Sequence, residues 1–223
     1  MSQYLAKKKI FDLFFSFIGL IFLWPVILFG WIASSISTRS NGFFLQKRVG
    51  VNGKVFHVIK LKTMTDTKSD FSSITALNTK RITKVGALLR KTKIDELPQL
   101  INVFLGQMSF VGPRPDVEGY ADKLTGNERK VLSFKPGITG KATIYFKYEE
   151  ELLQSAENPQ NFNDSIVYPL KTKINLEYAE HASIIKDVDI ILQTVIGKSI
   201  YSETIIPFTS THECIDKLES YKC

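Results

Sequence analysis

The sequence predicts a small mixed α/β (α+β) domain behind an N-terminal membrane helix, with a short β-hairpin and several short helices, and three observations predict it. Leu13 to Ala33 is a run of 21 residues without a charge. Residues 43–64, FFLQKRVGVNGKVFHVIKLKTM, alternate apolar and polar side chains on either side of an Asn-Gly turn. Beyond residue 83, apolar positions recur at helical spacing between turns rich in proline and glycine. The chain divides into 1–40, the membrane helix and its flanks; 41–200, the folded domain; and 201–223, a C-terminal tail. At 223 residues, with 44% of them apolar, it supports one core but not two full domains, and disordered and collagen-like chains are excluded.

The apolar run reaches about 30 Å at about 1.5 Å per residue, the thickness of a hydrocarbon core. It exceeds the hydrophobic region of a secretory signal, and no small-residue cleavage site follows it before Arg39, so it reads as a retained membrane segment. Pro25 falls at its centre, where a proline removes a backbone hydrogen bond and kinks a helix. Lys7, Lys8 and Lys9 precede the run and Arg39, Lys47 and Arg48 follow it, so the distribution of positive charge assigns no orientation. A tilted span kinked at Pro25 and a helix-break-helix that enters and leaves on one face are both compatible with these features.

In the hairpin, Val55, His57, Ile59 and Leu61 share one face, and Phe56, Val58 and Lys60 the other. Thr65 to Thr79 is hydroxyl-rich and polar and is expected to be a mobile loop. Charge is divided unevenly along the chain. Residues 1–115 carry 17 Lys/Arg against 5 Asp/Glu, and residues 116–223 carry 12 against 17. The first half is thus built to meet anions: nucleic acid, an anionic membrane or a phosphate-bearing small molecule. Nucleic acid is disfavoured, because no interleaved aromatic stacking pattern or reading motif accompanies the charge.

The segment 83–115, TKVGALLRKTKIDELPQLINVFLGQMSFVGPRP, carries the chemistry. Leu97, Leu100, Ile101 and Phe104 form an apolar helix face, Pro98 is tolerated in a first turn and Gly106 is a natural stop. Asp95 and Glu96 then stand at a helix N-terminus, where the dipole and the neighbouring Arg90, Lys91 and Lys93 are expected to lower the pKa of both. Their side chains point about 100° apart, as suits separate jobs such as nucleophile and metal ligand; an ordinary helix cap is the competing explanation. In Gly112-Pro113-Arg114-Pro115 two prolines restrict the backbone around Arg114, a rigid mount for a guanidinium that grips phosphate. Residues 135–140, KPGITG, read either as a tight turn with backbone N–H groups near an anion or as an ordinary loop.

Farther on, 171–182 and 186–200 read as helices, the second with Val188, Ile191, Leu192 and Val195 on a face assigned to the core in preference to the membrane. Cys214 and Cys223 form no disulfide framework or four-ligand zinc site, which fits a reducing, cytosolic environment. His57, His181 and His212 lack metal-ligand spacing.

Taken in order, FFLQKRVG, FHVIKLKTM, KVGALLRKTKIDELPQLINVFLGQMSFVGPRP and KPGITG resemble the bacterial sugar transferase family, the monotopic phosphoglycosyl transferases. The resemblance runs from about Lys8 to Thr194, and its DELPQL and VGPRP blocks are specific in combination. It implies a catalytic domain on the cytoplasmic face of the bacterial inner membrane, in contact with its phospholipids, behind a re-entrant helix. The implied reaction moves a sugar-1-phosphate from a UDP-sugar to undecaprenyl phosphate, releasing UMP, with magnesium as cofactor. Asp95 would be the nucleophile that carries the phosphosugar, Glu96 with Asp95 would hold magnesium, and Arg114 would bind phosphate. Arg48, Lys60, Lys62 and Arg90 are further cations for substrate, Arg90 matching a family arginine at the membrane face. A homodimer is left open.

Three departures from the family pattern bear on these expectations. Trp24-Pro25 stands where the family has Ser-Pro, so Trp24 replaces a hydroxyl at the helix break. If Pro25 governs topology, Pro25→Ala turns the segment toward spanning. Asn175 replaces a common aspartate, and Lys141 opens a run, 141–147, that replaces a Trp-containing segment expected to touch the nucleotide-sugar. A catalytically inactive membrane-docked scaffold is the alternative reading.

Overall fold

The computed structural model describes residues 2–66, 81–201 and 204–221. Most of the loop expected over 65–79 lies outside these residues. Helix α1 (Ser2–Thr38) is longer than its apolar run and continuous through Pro25, about 55 Å of helix. Among the described residues it is the helix long and apolar enough to cross a membrane. Phe14, Phe17, Phe22, Trp24, Phe29 and Ile36 are exposed along it, whereas Lys8, Asp12, Ser16, Ile27, Ser34 and Thr38 are buried.

That buried stripe lies against the folded domain from end to end. Lys8 Nζ is 2.7 Å from Asp187 Oδ2, and Asp12 Oδ1 accepts hydrogen bonds from Ser109 Oγ at 3.0 Å and Phe110 N at 3.1 Å. Leu100 packs on Gly19, Leu61 and Ile94 pack on Gly30, and Ser34 Oγ donates to the carbonyls of Gly42 and Lys62. A side chain at Gly30 would collide with Leu61, so glycine here lets the helix close onto the domain.

The hairpin forms as the alternation predicts. Strands β1 (Phe43–Val49) and β2 (Val55–Leu61) are antiparallel, with Phe43 opposite Leu61 and Val49 opposite Val55. Asn52 (φ 56°) and Gly53 (φ 81°) supply the left-handed turn. Helix α2 (Lys84–Lys91), capped by Thr83, leads into a 3-10 turn at Ile94–Glu96 and then α3 (Gln99–Phe104). Strand β3 (Ser109–Val111) pairs in parallel with β4 (Gly137–Thr139).

Within the 135–140 segment, residues 137–139 thus form a strand. Gly137 N donates to Pro113 O at 2.8 Å and Gly112 N to Thr139 O at 3.0 Å, so these amides serve the backbone ladder. The glycines are needed because a Cβ on Gly112 or Gly140 would overlap the facing backbone.

The second half is helical: α4 (Lys141–Tyr145), α5 (Glu149–Ser155), α6 (Pro159–Phe162), a π-turn over Asn163–Val167, α7 (Tyr168–Glu180) and α8 (Ile184–Ile196). On α8 the sequence reading holds in part: Ile191 packs on the core and Val188 and Leu192 are half-buried, but Val195 is 74% exposed. The deeply buried positions are Asp187, Asp189, Ile190 and Gln193, the polar ones among them satisfied by internal hydrogen bonds. The segment read as a tail is also folded. Helix α9 (Thr211–Ser220) buries Cys214 and Leu218 beside Leu170 and Ile174, and Phe208 stacks on Tyr145 with centroids 5.1 Å apart. Its apolar residues are too regular to stay in water once α4 and α7 offer a partner face.

Candidate active site

The 3-10 turn at Ile94–Glu96 presents two carboxylates in sharply different surroundings. Lys93, left-handed at φ 58°, reverses the chain after α2, and Leu97 and Pro98 carry it into α3. Asp95 and Glu96 thus precede α3 by a separate turn and do not lie in its first turn. Ile94 rests on Gly30 of α1, placing the turn directly against the membrane helix.

Glu96 is clamped. Its Oε1 accepts from Lys60 Nζ at 3.1 Å and from Arg114 Nη2 at 3.0 Å. Burial alone would raise its pKa, but the two cations override that and hold it well below the usual carboxylate range. Reciprocally, Glu96 holds the Arg114 guanidinium firmly charged. Burial, then the charge of Arg114, lowers Lys60 to about 8.

Asp95 differs in each respect. It is buried, and its Oδ1 has no hydrogen-bond partner among the described residues. Burial first, and then the neighbouring Glu96 charge, pushes its pKa up to about 6 against the pull of Lys60, Lys93 and Arg90. The expectation that nearby cations lower both carboxylates therefore holds for Glu96 and fails for Asp95. Lys60 and Arg90 are bonded to other groups, and desolvation dominates.

Of the predicted cations, Lys60, Arg114 and Arg48 converge. Arg48 Nη1 donates to Pro115 O at 3.1 Å and its Nη2 to Gln46 Oε1 at 2.6 Å, which fixes it behind the Pro-Arg-Pro segment. Burial, and then Arg114, lowers its pKa to about 10. Arg90 is engaged at the rim by Thr63 Oγ1 at 3.2 Å and Glu150 Oε1 at 3.4 Å. Lys62 is turned away, bonded to Ser40 Oγ at 2.8 Å and Asp66 Oδ2 at 2.6 Å. Trp24 and Pro25 sit on α1, Trp24 lining an apolar groove with Leu20, Ile27, Trp31, Phe43 and Ile101. Lys141 is held at 2.6 Å by Glu177, whose other oxygen accepts from Tyr221, just past the end of α9.

The sequence reading missed a second layer. Lys171 Nζ lies 2.6 Å from Glu149 Oε1, and Arg114 helps to lower the Glu149 pKa after Lys171 has offset its burial. Asp116, pushed up to about 6 by burial, feels Lys171, Arg48, Glu149 and Arg114. The visible signal was the run Glu149–Glu151 opening α5; nothing local marks Lys171 or Asp116.

Among the described residues, no group of three or more His, Cys, Asp or Glu side chains converges on one point. Two adjacent carboxylates, one with an unpartnered oxygen, still fit magnesium, which commonly takes one or two carboxylates and completes its shell with substrate phosphate and water.

A desolvated carboxylate beside a carboxylate held by two cations, on a body bound along an apolar helix, suits chemistry on an anionic group such as a phosphate. Residues 3–199 match the model of the bacterial sugar transferases, and the chain belongs to that family. It is 34% identical over 198 residues to an uncharacterized sugar transferase, EpsL, of Bacillus subtilis (strain 168), covering 89% of each chain. It is 38% identical over 206 residues to a UDP-glucose:undecaprenyl-phosphate glucose-1-phosphate transferase of Klebsiella pneumoniae, covering 87% of this chain and 41% of that protein. A third relative, 36% identical over 208 residues, is the galactosyl transferase CpsE of Streptococcus agalactiae serotype III (strain NEM316), with 86% and 42% covered.

Proposed function

We propose that the protein transfers a sugar-1-phosphate from a UDP-sugar to undecaprenyl phosphate, through a covalent phosphosugar on Asp95, as the first membrane step of polysaccharide or glycoprotein glycan synthesis. The observation that carries this reading is the contrast between Asp95, with an unpartnered buried oxygen, and Glu96, whose Oε1 is held by Lys60 and Arg114. A poorly solvated carboxylate is a better nucleophile than one already spending its lone pairs on cations.

In the first half-reaction an Asp95 oxygen attacks the sugar-linked phosphorus, the bond from that phosphorus to the bridging oxygen breaks, and UMP departs with that oxygen and its electron pair. In the second, an oxygen of the lipid phosphate attacks the same phosphorus and the Asp95 oxygen leaves, restoring the carboxylate and yielding the polyprenyl diphosphosugar. Arg114 and Arg48 neutralise the phosphates so that an anion can approach an anion. Magnesium held by Asp95 and Glu96 would supply further neutralisation of the diphosphate.

The acceptor is a membrane lipid, and the proposed topology is re-entrant, with the domain on the cytoplasmic face of the inner membrane. Support comes from the buried stripe of α1: both ends of the helix are bonded to one body, as a helix leaving on the face by which it entered requires.

The test is UMP release by the purified full chain with magnesium, undecaprenyl phosphate and a panel of UDP-sugars. One or more sugars are expected to yield UMP, and Asp95→Asn to abolish the release while Glu213→Gln on α9 leaves it intact. UMP release unaffected by Asp95→Asn overturns the nucleophile; no release with any sugar favours the scaffold.

A further inference from the structure

Four buried side-chain atoms have no hydrogen-bond partner among the described residues, and two of them fall within the five residues 95–99: Asp95 Oδ1, in the carboxylate that the reaction above uses, and Gln99 Nε2, which it does not use. Gln99 is 2% exposed. Two other buried amides of the chain are satisfied. Asn102 Nδ2 donates to His57 O at 2.7 Å and to Gln107 Oε1 at 2.8 Å, and Gln193 Nε2 donates to Asp189 Oδ2 at 2.7 Å. An unpaired buried amide is a net cost to a fold, so Gln99 calls for another reason to be where it is.

Its place follows from the backbone. From Ile94 to Phe104 the chain is right-handed helical without a break, because Leu97 (φ −56°, ψ −35°) and Pro98 (φ −61°, ψ −16°) carry the 3-10 turn into α3. Side chains three or four residues apart on such a backbone are neighbours. Gln99 therefore stands one turn from both Asp95 and Glu96. What its side of the helix meets is shown by Glu96 and Asn102, three residues before it and three after. Glu96 Oε1 accepts from Lys60 Nζ at 3.1 Å, and Asn102 Oδ1 accepts from Ile59 N at 3.0 Å, so this side faces β2. The amide is enclosed there, an unpaired hydrogen-bond donor one turn from an unpaired acceptor.

We infer that Gln99 is a further catalytic residue, whose Nε2 donates to a nonbridging oxygen of the phosphoryl group as that group joins Asp95 Oδ1. The inference rests on the transfer reading and adds to it a residue and a choice of attacking oxygen. Oδ1 forms the new bond to phosphorus, the bond from phosphorus to the bridging oxygen breaks, UMP leaves with that oxygen and its electron pair, and Gln99 gives up no proton. The oxygen that Gln99 meets is brought to it as the new bond forms, so the pairing favours the transition state and the phosphosugar-enzyme over the resting enzyme. An uncharged amide suits this position. A lysine here would pair with Asp95 at rest and occupy the oxygen that has to attack, as Lys60 and Arg114 occupy Glu96 Oε1.

The experiment measures UMP release by the full chain in detergent micelles, with magnesium, undecaprenyl phosphate and a panel of UDP-sugars, and thermal unfolding of the same samples. Gln99→Met keeps the length and removes the N–H; Gln99→Glu keeps the shape and puts an acceptor in its place. Both are expected to lower kcat about 100-fold while KM for the UDP-sugar stays within about threefold, the loss of a hydrogen bond made at the transition state. Gln99→Met is expected to unfold no lower than the wild type, because it removes an unpaired buried amide. An unchanged kcat in either variant, with or without a raised KM, overturns the inference and leaves the transfer reading standing. A lower unfolding midpoint in Gln99→Met that accompanies its loss of rate makes the amide structural and also overturns the inference. A wild type that releases no UMP from any UDP-sugar overturns the transfer reading and the role of Gln99 with it.

Discussion

Lys8 and Asp187 stand 179 residues apart and form a buried ion pair, Nζ to Oδ2 2.7 Å, that ties the start of the membrane helix to α8. Tyr4 and Tyr178 both donate to the same carboxylate, so its charge is met on several sides. Removing one member of such a pair strands the other in a low-dielectric site. Asp187→Ala is therefore expected to destabilise the protein by about 3–5 kcal/mol, read as a lower midpoint of thermal unfolding in detergent. The double variant Lys8→Met with Asp187→Leu leaves no stranded charge and should recover most of the loss. If the double variant is as unstable as the single, the pair contributes through geometry and not charge.

Glu96 separates two sets of cations that the sequence presented as equivalent. Arg114→Lys keeps the charge but loses the planar guanidinium that reaches Glu96 and that the proposed reaction uses to meet phosphate, and should slow UMP release about 100-fold. Lys62→Ala should change it by no more than about fivefold, because Lys62 is bonded to the exposed Asp66 and to Ser40, away from the carboxylates. Initial rates of both variants check this, and equal losses would restore Lys62 to the site.

The reach of the sequence follows from where each signal resides. The hairpin was legible because Asn52-Gly53 and the alternation around it are local, and the Asp95-Glu96 and Pro-Arg-Pro blocks because their neighbours in sequence are also neighbours in space. Glu149, Lys171 and Asp116 were not legible: each is an ordinary charged residue until α5, α7 and the Pro115 segment are brought together. The α8 stripe was legible only in part, because period alone cannot say which residues go deepest, and internal hydrogen bonds let Asp189 and Gln193 occupy the inside. For α9 the sequence does carry a signal: Ser210 and Glu213 have the spacing of a capping box, with Cys214 and Leu218 following on one face.

The proposed reaction needs Asp95 ionised, and its ionisation is costly for the fold. With its pKa raised to about 6, the folded state holds a proton between about pH 4 and 6 that the unfolded chain has already released, so stability falls as pH rises through that window. Asp95→Asn removes the cost. It should raise the melting midpoint at pH 7.5, by about 2–4 °C for each kcal/mol relieved, and lose that advantage toward pH 4. UMP release by the wild type should fall as pH drops through about 6, as the nucleophile takes up its proton. A flat rate profile from pH 5 to 8, or a less stable Asp95→Asn at neutral pH, would show that the carboxylate is solvated in the working enzyme.

Pro25 is the natural suspect for holding α1 in a re-entrant path, yet the helix continues through it and is bonded to the domain on both sides. Before Pro25 the tethers are Lys8 and Asp12; after it they are Ser34 and the contact of Gly30 with Leu61 and Ile94. A spanning arrangement would have to break one set and carry Lys7, Lys8 and Lys9 across the hydrocarbon, which costs more than one recovered backbone hydrogen bond returns. Pro25→Ala alone is thus expected to leave the topology unchanged, contrary to what the proline by itself suggests. The measurement is labelling by a membrane-impermeant thiol reagent of single cysteines at Gln3 and Lys54, in a chain with Cys214 and Cys223 replaced by alanine. Both positions should label from the cytoplasmic side with and without Pro25→Ala; labelling of the Gln3 site from the opposite side only in the variant would make the proline, and not the tethers, the determinant.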